Sequence, residues 1–346
     1  MRIFDYIRPA SLPEAVAAGQ VPDTAYLAAG TNLVDLMKGG VTAPARIVDI
    51  TRLPGLSSIE RLNDGGTRIG ALVRNSDLAY DAMVEKTYPM VAEALLAGAS
   101  AQLRNAATVG GNLMQRNRCP FFTDAVSNCN KREPGSGCAA LGHATRIHAV
   151  QGWSEQCIAT NPSDFCVPLA ALDAVVEIAG PDGAREVPLT AFHTLPGDHP
   201  EHETALRPAE LITAVRLPPE AAAFQGHARY LKVRDRTSYA FAVVSAAAAL
   251  TLDGEKIGRA RLAFGGLALK PWRVEAAEAA LAGQAPSPEA YARAAALALD
   301  GAKPTGEANA FKIELARRVA VRALTLAAAG TPARIPALPA SPFGIV

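Results

Sequence analysis

The amino-acid sequence predicts an α+β protein with two or three folded units, and three observations lead to this prediction. The chain has 346 residues, more than one ordinary compact core usually holds. Segments with strand periodicity alternate with segments of helical periodicity, and two long strand patterns meet at a hairpin turn near residue 254. The 28 glycines and 25 prolines predict many turns, as in a mixed fold whose backbone wraps around a ligand.

The first unit is predicted to span residues 1–57 and to begin with a β-α-β arrangement. Ser11 and Glu14 have the spacing of a helix N-cap and its partner, and Pro13 suits the first helical turn. The remaining elements follow from strand-like and helix-like composition on either side of a Gly-Thr turn. Strands are predicted at residues 2–6, 25–28 and 45–49, with a helix at 32–38.

The second unit is predicted to span residues 58–220. It should hold a strand at 67–71, helices at 76–83 and 87–99, and strands at 174–179 and 210–217. Between them lies a glycine-rich and then cysteine-rich region with little periodicity, and we place an insertion at about 115–160. Pro218 and Pro219 stop the last strand and predict a domain boundary.

The third unit, residues 221–346, is predicted to be a three-stranded antiparallel sheet followed by helices. Asp253-Gly254 is typical of a hairpin turn between the last two strands. Strands are predicted at 229–234, 241–252 and 256–265, and helices at 272–282, 287–299 and 307–328. Prolines at 332, 336, 339 and 342 predict an extended tail.

Charge and hydropathy exclude several classes of partner. Lys and Arg number 34 against 33 Asp and Glu, so no excess of positive charge favours nucleic acid or an anionic membrane. The longest apolar stretch, residues 240–252, is shorter than the roughly 20 residues that span a bilayer. The opening MRIFDYIRPASLPEAV has charges and prolines where a signal peptide is apolar. We therefore expect cytoplasmic folding, no export signal in this chain and no membrane insertion.

Two glycine-containing segments are candidates for binding a phosphate group. Residues 27–33, LAAGTNL, place small residues between a strand and a helix, where backbone amides can face an anion. Residues 107–113, ATVGGNL, offer paired glycines whose main chain can touch a ligand. Either segment alone also fits a plain strand-to-helix turn. The sequence has no G-x-G-x-x-G or G-x-x-x-x-G-K-[ST] motif in the required context, so a dinucleotide would need another fold.

An ordered set of motifs along the chain resembles the FAD subunits of the xanthine dehydrogenase family. The set comprises LAAGTNL, IGALVRNSDL at 69–78, ATVGGNLMQ at 107–115, NPSDFCVPLAAL at 161–172, ITAVRLPP at 212–219, YLKVRDRTSYAFAVVSAAAAL at 230–250 and LAFGGLALKPWR at 262–273. Each motif is loose, but their order is specific and covers nearly the whole chain. The resemblance implies a two-part FAD domain of the vanillyl-alcohol oxidase type before the C-terminal sheet.

The resemblance also implies which residues bind the flavin. The FAD pyrophosphate is expected against Ala28, Ala29, Gly30, Thr31, Asn32 and Leu33 and against Thr108, Gly110 and Gly111. Asn112 and Asp164 are expected on the ribityl or sugar hydroxyls, and Lys232 near the flavin ring, where a cation stabilises an anionic reduced flavin. A solvated strand lysine is the alternative for Lys232. The family's usual LAGGTDL pattern differs here at Ala29 and Asn32.

All five cysteines lie between residues 119 and 166. Their spacing lacks the paired C-x2-C knuckles of common zinc sites, and an odd number in a cytoplasmically folded chain disfavours disulfides. The stretch from Arg118 to Phe165 resembles the insertion that carries a [4Fe-4S] cluster in flavin subunits of bacterial periplasmic aldehyde oxidoreductases. That resemblance implies Cys119, Cys129, Cys138 and Cys157 as ligands and leaves Cys166 as a buried thiol.

The implied function is an electron-transfer subunit of a heterotrimeric molybdenum-dependent aldehyde oxidoreductase. Substrate oxidation would take place on molybdopterin in a large partner subunit, and [2Fe-2S] clusters of a small partner would pass electrons to this chain. Export together with a partner subunit stays open. Two other functions also stay open: a stand-alone flavin oxidase, and a cluster-bearing subunit with a structural or interaction role. The sequence shows no histidine metal motif and no nucleophile elbow.

The final electron acceptor is a separate question, and the loop 234–240 bears on it. Tyr239 in this loop carries an aromatic ring that is expected to cover the exposed flavin edge, where NAD-using relatives have consecutive acidic residues. A large, rigid side chain would exclude a nicotinamide that has to stack on the reacting atom. We therefore expect oxygen, a quinone, or a protein or dye acceptor rather than NAD. The alternative is that Tyr239 packs against the third unit.

Overall fold

A computed structural model describes residues 1–334. Prolines 336, 339 and 342 of the expected extended tail lie outside the described residues. The described strands form three sheets of three, five and four strands. None of the helices found in residues 1–334 is both long and apolar enough to cross a membrane.

The N-terminal elements form a small parallel sheet in which β3 lies between β1 and β2. Its elements are β1 Asp5–Ile7, α1 Leu12–Gly19, β2 Thr24–Leu27, α2 Leu33–Lys38 and β3 Arg46–Asp49. Helix α1 begins as the sequence predicts, because the Ser11 hydroxyl accepts a hydrogen bond from the Glu14 amide. The parallel pairing brings the C-terminal end of β2, and the loop after it, to one edge of the sheet.

The second group of elements surrounds a five-stranded antiparallel sheet with the order β4-β5-β8-β6-β7. Its strands are β4 Ile59–Arg61, β5 Thr67–Gly70, β6 Val175–Gly180, β7 Gly183–Pro188 and β8 Leu211–Leu217. Its helices are α3 Asn75–Ala79, α4 Ala82–Thr87, α5 Pro89–Ala97, α6 Ala101–Ala106, α7 Val109–Leu113, α8 Pro120–Thr123, α9 Cys166–Ala171 and α10 Leu189–Phe192. The largest hydrophobic core lies between this sheet, α5 and α9.

Several predicted boundaries in this group are wrong. The helix expected at 76–83 is split, because the Asp81 carboxylate accepts from the Met83 and Val84 amides and starts a new helix. Strands β4 and β7 are additional. In the expected insertion, residues 115–160, the one short helix among the described residues is α8.

The C-terminal elements form a four-stranded antiparallel sheet, not the three-stranded sheet that the sequence predicts. The additional strand, β12 Trp272–Arg273, has two residues and pairs with the end of β11, so it is too short to give a periodic signal. The other elements are β9 Ala228–Val233, β10 Val244–Asp253, β11 Lys256–Gly265, α11 Glu275–Ala279, α12 Pro288–Ala298 and α13 Phe311–Ala328, with 3-10 turns at Pro219–Phe224 and Glu307–Asn309. Alanines of β10 let α13 pack closely on the sheet.

Candidate functional site

The first glycine loop follows β2 and leads into α2. Gly30 has a φ of +76°, and a Cβ atom there would lie 2.8 Å from Val34 Cγ2, so this position requires glycine. Within residues 1–334, the amides of Gly30, Thr31 and Asn32 donate to no protein acceptor. Ala29, where the family pattern has a second glycine, does not have a positive φ. The loop therefore offers several backbone donors to a ligand without needing glycine at residue 29.

Asn32 connects this loop to the segment that follows the second glycine loop. Its side-chain oxygen accepts from the Arg116 amide at 2.8 Å. Its Nδ2 is buried and has no hydrogen-bond partner in the part of the chain that the structure describes. An unpaired buried amide costs free energy unless a ligand accepts its hydrogen bond. Asn32 thus fits a site for a phosphate or another acceptor-rich group.

The second glycine loop, residues 107–113, is held by the turn that precedes α3. The Val109 amide donates to Val73 O at 2.9 Å, and the Gly110 amide donates to Ala71 O at 2.8 Å. A Cβ atom on Gly110 would lie 3.0 Å from Ala71 Cβ. Ala71 therefore occupies the space that a side chain at Gly110 would need, and the role of this glycine in ligand binding stays a prediction.

Gly111 is the glycine of the pair that faces outward. It is exposed, and its amide donates to the Thr108 hydroxyl at 3.2 Å, which caps α7. A Cβ atom there would meet only this hydroxyl, at 3.0 Å. Thr108 itself is buried. The exposed surface of this loop therefore includes Gly111, while the Gly110 amide ties the loop to Ala71.

Two further predicted residues, Asn112 and Asp164, join through Ser163. The Ser163 hydroxyl donates to Asn112 Oδ1 at 2.8 Å. Gln115 Nε2 donates to the same oxygen at 2.7 Å. With the Asn32 contact, these bonds bring three separated sequence segments together, residues 27–33, 107–116 and 161–172, and Asp164 directly follows Ser163.

Asp164 and Lys232 form a buried ion pair. Lys232 Nζ lies 2.7 Å from Asp164 Oδ2 and also donates to Ala97 O at 3.1 Å. The Tyr230 hydroxyl donates to Asp164 Oδ1 at 2.5 Å. Burial, together with the Asp164 carboxylate, raises the pKa of Tyr230 well above its ordinary value. The alternative of a solvated strand lysine is excluded for Lys232, because only 2% of its side chain is exposed.

Tyr230 is a residue that the sequence reasoning missed, although a signal was present. Residues 230 and 232 have the i, i+2 spacing that puts two side chains on the same face of β9. Glu93 of α5 fixes this strand, because its carboxylate accepts from the Tyr230 amide at 2.6 Å and pairs with Arg229 at 2.9 Å. The two-residue repeat of a strand alone predicts that the Tyr230 and Lys232 side chains lie next to each other.

A cavity of about 310 Å³ adjoins Asp164. Arg118 and Phe241 lie in its wall, with the guanidinium carbon of Arg118 5.0 Å from the centre of the Phe241 ring. Burial lowers the pKa of Arg118. The aromatic residue in this wall is therefore Phe241 and not Tyr239. Tyr239 has a φ of +50° and is 56% exposed, and its carbonyl accepts from the Arg236 guanidinium.

The four cysteines with the expected ligand spacing line a second cavity. Cys119, Cys129, Cys138 and Cys157 all contribute to its wall. Cys129 and Cys138 lie opposite each other in an isolated antiparallel bridge. All five cysteines carry free thiols, and Cys166 is fully buried in the large core near the start of α9.

The chemistry of this cavity differs from that of a site for a single metal ion. Within residues 1–334, no three His, Cys, Asp or Glu side chains are close enough together to hold one ion. Burial raises the pKa of Cys157 to about 12, and burial also raises the pKa of Cys119. Without a bound cation these thiols stay protonated at neutral pH, whereas a coordinating metal removes the proton. The cavity therefore brings four cysteine side chains together without forming a site for a single ion.

The insertion has little regular secondary structure, and hydrogen bonds from side chains to the backbone stabilise it instead. Asn130 Oδ1 accepts from the Gly137 amide at 2.8 Å, and Arg132 donates to Phe121 O and Phe122 O at 3.0 and 2.9 Å. Lys131 in the same segment is buried, with 1% of its side chain exposed. It pairs with Glu203 at 2.9 Å and lines the cysteine cavity.

Comparisons with known proteins identify the same protein family in both parts of the chain. A family model described as "FAD binding domain in molybdopterin dehydrogenase" matches residues 2–220. A second, "CO dehydrogenase flavoprotein C-terminal domain", matches residues 229–327. The chain is 50% identical over 333 residues to the aldehyde oxidoreductase FAD-binding subunit PaoB of Escherichia coli, covering 95% of this chain and 99% of that protein.

More distant relatives include a protein of known structure. The chain is 28% identical over 332 residues to the carbon monoxide dehydrogenase medium chain of Hydrogenophaga pseudoflava, covering 94% of this chain and 96% of that one. A solved carbon monoxide dehydrogenase from Oligotropha carboxidovorans superimposes with a TM-score of 0.75 at 26% identity, covering 96% of this chain and 100% of that chain.

Proposed function

This chain belongs to the oxidoreductase family of FAD-binding medium subunits of molybdenum hydroxylases, and we propose that it is the FAD- and [4Fe-4S]-binding electron-transfer subunit of an aldehyde oxidoreductase. The observation that supports the flavin site most strongly is the convergence of separated motifs on one cleft. Asn32 bonds the segment after the second glycine loop, Asn112 bonds Ser163, and Asp164 pairs with Lys232. Bound FAD would accept electrons singly and release them in pairs.

Each part of the cleft has a proposed role in holding FAD. Residues Ala28, Ala29, Gly30, Thr31, Asn32 and Leu33 are proposed to hold the pyrophosphate together with Thr108, Gly110 and Gly111. The unpaired amides of the first loop and the unpaired Asn32 Nδ2 support this, because phosphate oxygens accept such donors. The Gly110 amide already donates to Ala71 O, so the proposed contribution of Gly110 is to hold the loop in position. Asn112 and Asp164 are proposed to contact the ribityl or sugar hydroxyls.

Lys232 is proposed to place a positive charge near the flavin ring. The pairing with Asp164 changes the expected role, because the lysine reaches the ring as part of a neutral ion pair. Ala97 O and the Tyr230 hydroxyl keep both members of the pair in position. A fixed pair of this kind orients the charges before the flavin binds, so the residues need not rearrange when its charge changes.

The cysteine cavity is proposed to hold a [4Fe-4S] cluster. Four cysteines around one cavity supply the ligand number that such a cluster needs, and they are too far apart for one ion. The irregular chain around them also fits, since loops leave main-chain amides available to the cluster sulfurs. Bound there, the cluster would store or relay one electron at a time.

The remaining features of the proposal concern the assembly. We propose a heterotrimer with a large molybdopterin subunit and a small [2Fe-2S] subunit, and an external acceptor that takes electrons from this chain. The proposed division is 1–57 and 58–220 for two FAD subdomains of the vanillyl-alcohol oxidase type, and 221–346 for the C-terminal domain. Export with a partner's signal is proposed as the route to the periplasm.

Copurification of the intact complex tests this function. Identification of the bound chains, with flavin, iron and molybdenum contents, should give one FAD, the cluster iron and two partners. Substrate turnover by the isolated chain would favour a stand-alone flavin oxidase instead. Undiminished complex activity after removal of the flavin or the cluster would favour a structural subunit.

A further inference from the structure

His148 lines one of the two cavities and contacts a cysteine that lines both. Cys119 and Ala159 line both the cysteine cavity and the 310 Å³ cavity next to Asp164, and His148 lines the second one. His148 is 1% exposed, and its Nε2 lies 3.3 Å from Cys119 Sγ. Cys119 is therefore the proposed cluster ligand nearest the flavin side, and an imidazole contacts its sulfur.

The hydrogen bonds of the ring decide which nitrogen carries the proton. The Thr145 amide donates to His148 Nδ1 at 2.8 Å. A backbone amide can only donate, so Nδ1 must offer a lone pair and the neutral ring carries its hydrogen on Nε2. That hydrogen points at Cys119 Sγ. The contact is therefore an N–H···S hydrogen bond in which His148 is the donor.

The backbone of His148 is fixed from the opposite side. Its carbonyl accepts from Lys312 Nζ at 2.8 Å and from Asn309 Nδ2 at 3.2 Å. Lys312 has no exposed surface and also donates to Gly266 O at 2.5 Å, which ties the histidine segment to the C-terminal sheet. These bonds fix the His148 backbone, and the Thr145 amide that donates to Nδ1 sets the orientation of the ring.

We propose that His148 is a positioning residue that tunes the iron–sulfur cluster through its hydrogen bond to the Cys119 thiolate. This inference rests on the proposed cluster. Reduction adds negative charge to a cluster and its thiolates, so an N–H donor stabilises the reduced state more than the oxidised state. The bond therefore raises the reduction potential. It acts at the one ligand that is shared with the cavity beside Asp164.

Lys131, a buried cation near the cysteines, is less suited to this role. Lys131 lines the cysteine cavity, but its ammonium pairs with Glu203 at 2.9 Å and donates to Pro200 O at 2.6 Å. Its charge is thus compensated by a carboxylate. His148 instead directs its single free N–H at a sulfur, so its removal should change the potential without leaving a buried charge unpaired.

The test uses the intact complex and three variants. His148→Leu removes the donor, and His148→Gln keeps an N–H at a similar reach. His143→Leu is a matched control, because His143 is an exposed histidine of the same insertion.

Iron content is measured first, and the cluster potential is then measured by redox titration monitored by electron paramagnetic resonance. We expect full iron in all proteins. The one-electron reduction constant should fall about tenfold in His148→Leu, a shift of about −59 mV, with the His143→Leu value unchanged and the His148→Gln value near wild type.

A measurement on the wild type keeps the proposal testable if His148→Leu does not assemble. With ¹⁵N-histidine labelling, pulsed paramagnetic resonance of the reduced cluster should detect one histidine nitrogen coupled to it, and the signal should be absent in His148→Gln. Lack of this coupling, or an unchanged potential in an iron-replete His148→Leu complex, refutes the proposed role of the hydrogen bond but leaves the proposed cluster intact. A wild-type complex without cluster iron overturns the proposed cluster and this inference together.

Discussion

The proposed flavin cleft and the cysteine insertion satisfy their polar groups in different ways. In the proposed cleft, most of the predicted site residues already form hydrogen bonds within the protein: Asp164 bonds Lys232 and Tyr230, and Asn112 bonds Ser163. In the insertion, four thiols face a shared cavity, and burial keeps the thiols of Cys119 and Cys157 protonated in the absence of a metal.

This difference indicates that the two proposed cofactors differ in how much the surrounding structure depends on them for order. The cleft is supported by two sheets and a large core, so it should keep its shape without FAD. The insertion has one short helix and shares a small core with Leu36 and Leu269, and we expect it to depend on the proposed cluster for order. The following experiments test that contrast, from the largest expected effect to the smallest.

The largest effect is expected from Cys138→Ser, which removes one of four ligands. We expect iron to fall from about four atoms to less than one per chain, since a [4Fe-4S] cluster needs four cysteine ligands. The same loss is expected for Cys119→Ser, Cys129→Ser and Cys157→Ser. Iron analysis and limited proteolysis measure it, and cleavage should appear between residues 115 and 160 while the rest of the chain resists.

The matched control is Cys166→Ser, because this thiol is buried in the large core and away from the cysteine cavity. Its iron content should equal that of the wild type. Zinc without iron in anaerobically prepared protein, or equal iron loss in Cys166→Ser, would contradict the assignment of the four cysteines as cluster ligands.

The next effect is expected at the buried ion pair. Asp164→Asn leaves the Lys232 charge buried and uncompensated, and breaking such a pair costs about 3–5 kcal/mol in the free energy of unfolding. Urea denaturation of the flavin-free protein measures this loss. Flavin retention in the purified complex should also fall, because Lys232 loses its fixed position.

A double variant separates the two roles of the pair. Asp164→Leu with Lys232→Met replaces both charges by apolar side chains of similar size, so stability should largely return. FAD binding should stay weak if the charges act on the flavin. Recovery of flavin binding in the double variant would mean that the pair serves only the fold.

A smaller effect distinguishes the paired glycines. Gly111→Val should weaken FAD binding at least about tenfold, or about 1.4 kcal/mol, with little change in thermal stability, because this residue faces outward. Gly110→Val should destabilise the apoprotein by about 1–3 kcal/mol, since its side chain would press on Ala71. Fluorimetric flavin titration and thermal unfolding measure both. Wild-type flavin stoichiometry in Gly111→Val would count against the proposed pyrophosphate site.

The smallest effect concerns the electron acceptor. We expect the intact complex, supplied with an aromatic aldehyde, to reduce dyes or a quinone far better than NAD. Tyr239→Ala should change the NAD rate by less than about tenfold, or about 1.4 kcal/mol, because Tyr239 is mostly exposed while Phe241 lines the cavity. Phe241→Ala is the comparison variant in the same steady-state assay. Efficient NAD reduction by the wild type would show that the interpretation of this loop is wrong.

The sequence by itself determined the family, the order of the motifs and the type of most regular elements. These depend on local patterns: the Ser11 cap and the Asp253-Gly254 hairpin are each predictable from neighbouring residues. The clustering of cysteines was equally visible, because it is a property of the chain order. Boundaries were less certain, since a side chain such as Asp81 can end one helix and start another.

Only the tertiary structure decided which side chains meet. Lys131 is buried although its neighbours are charged, Gly110 packs against Ala71, and the Asp164 carboxylate pairs with Lys232, 68 residues away in the sequence. The contact of His148 with Cys119 spans 29 residues of irregular chain. Such contacts depend on how the sheets and the insertion pack together, and the free energy of that packing comes from long-range burial that no local pattern encodes.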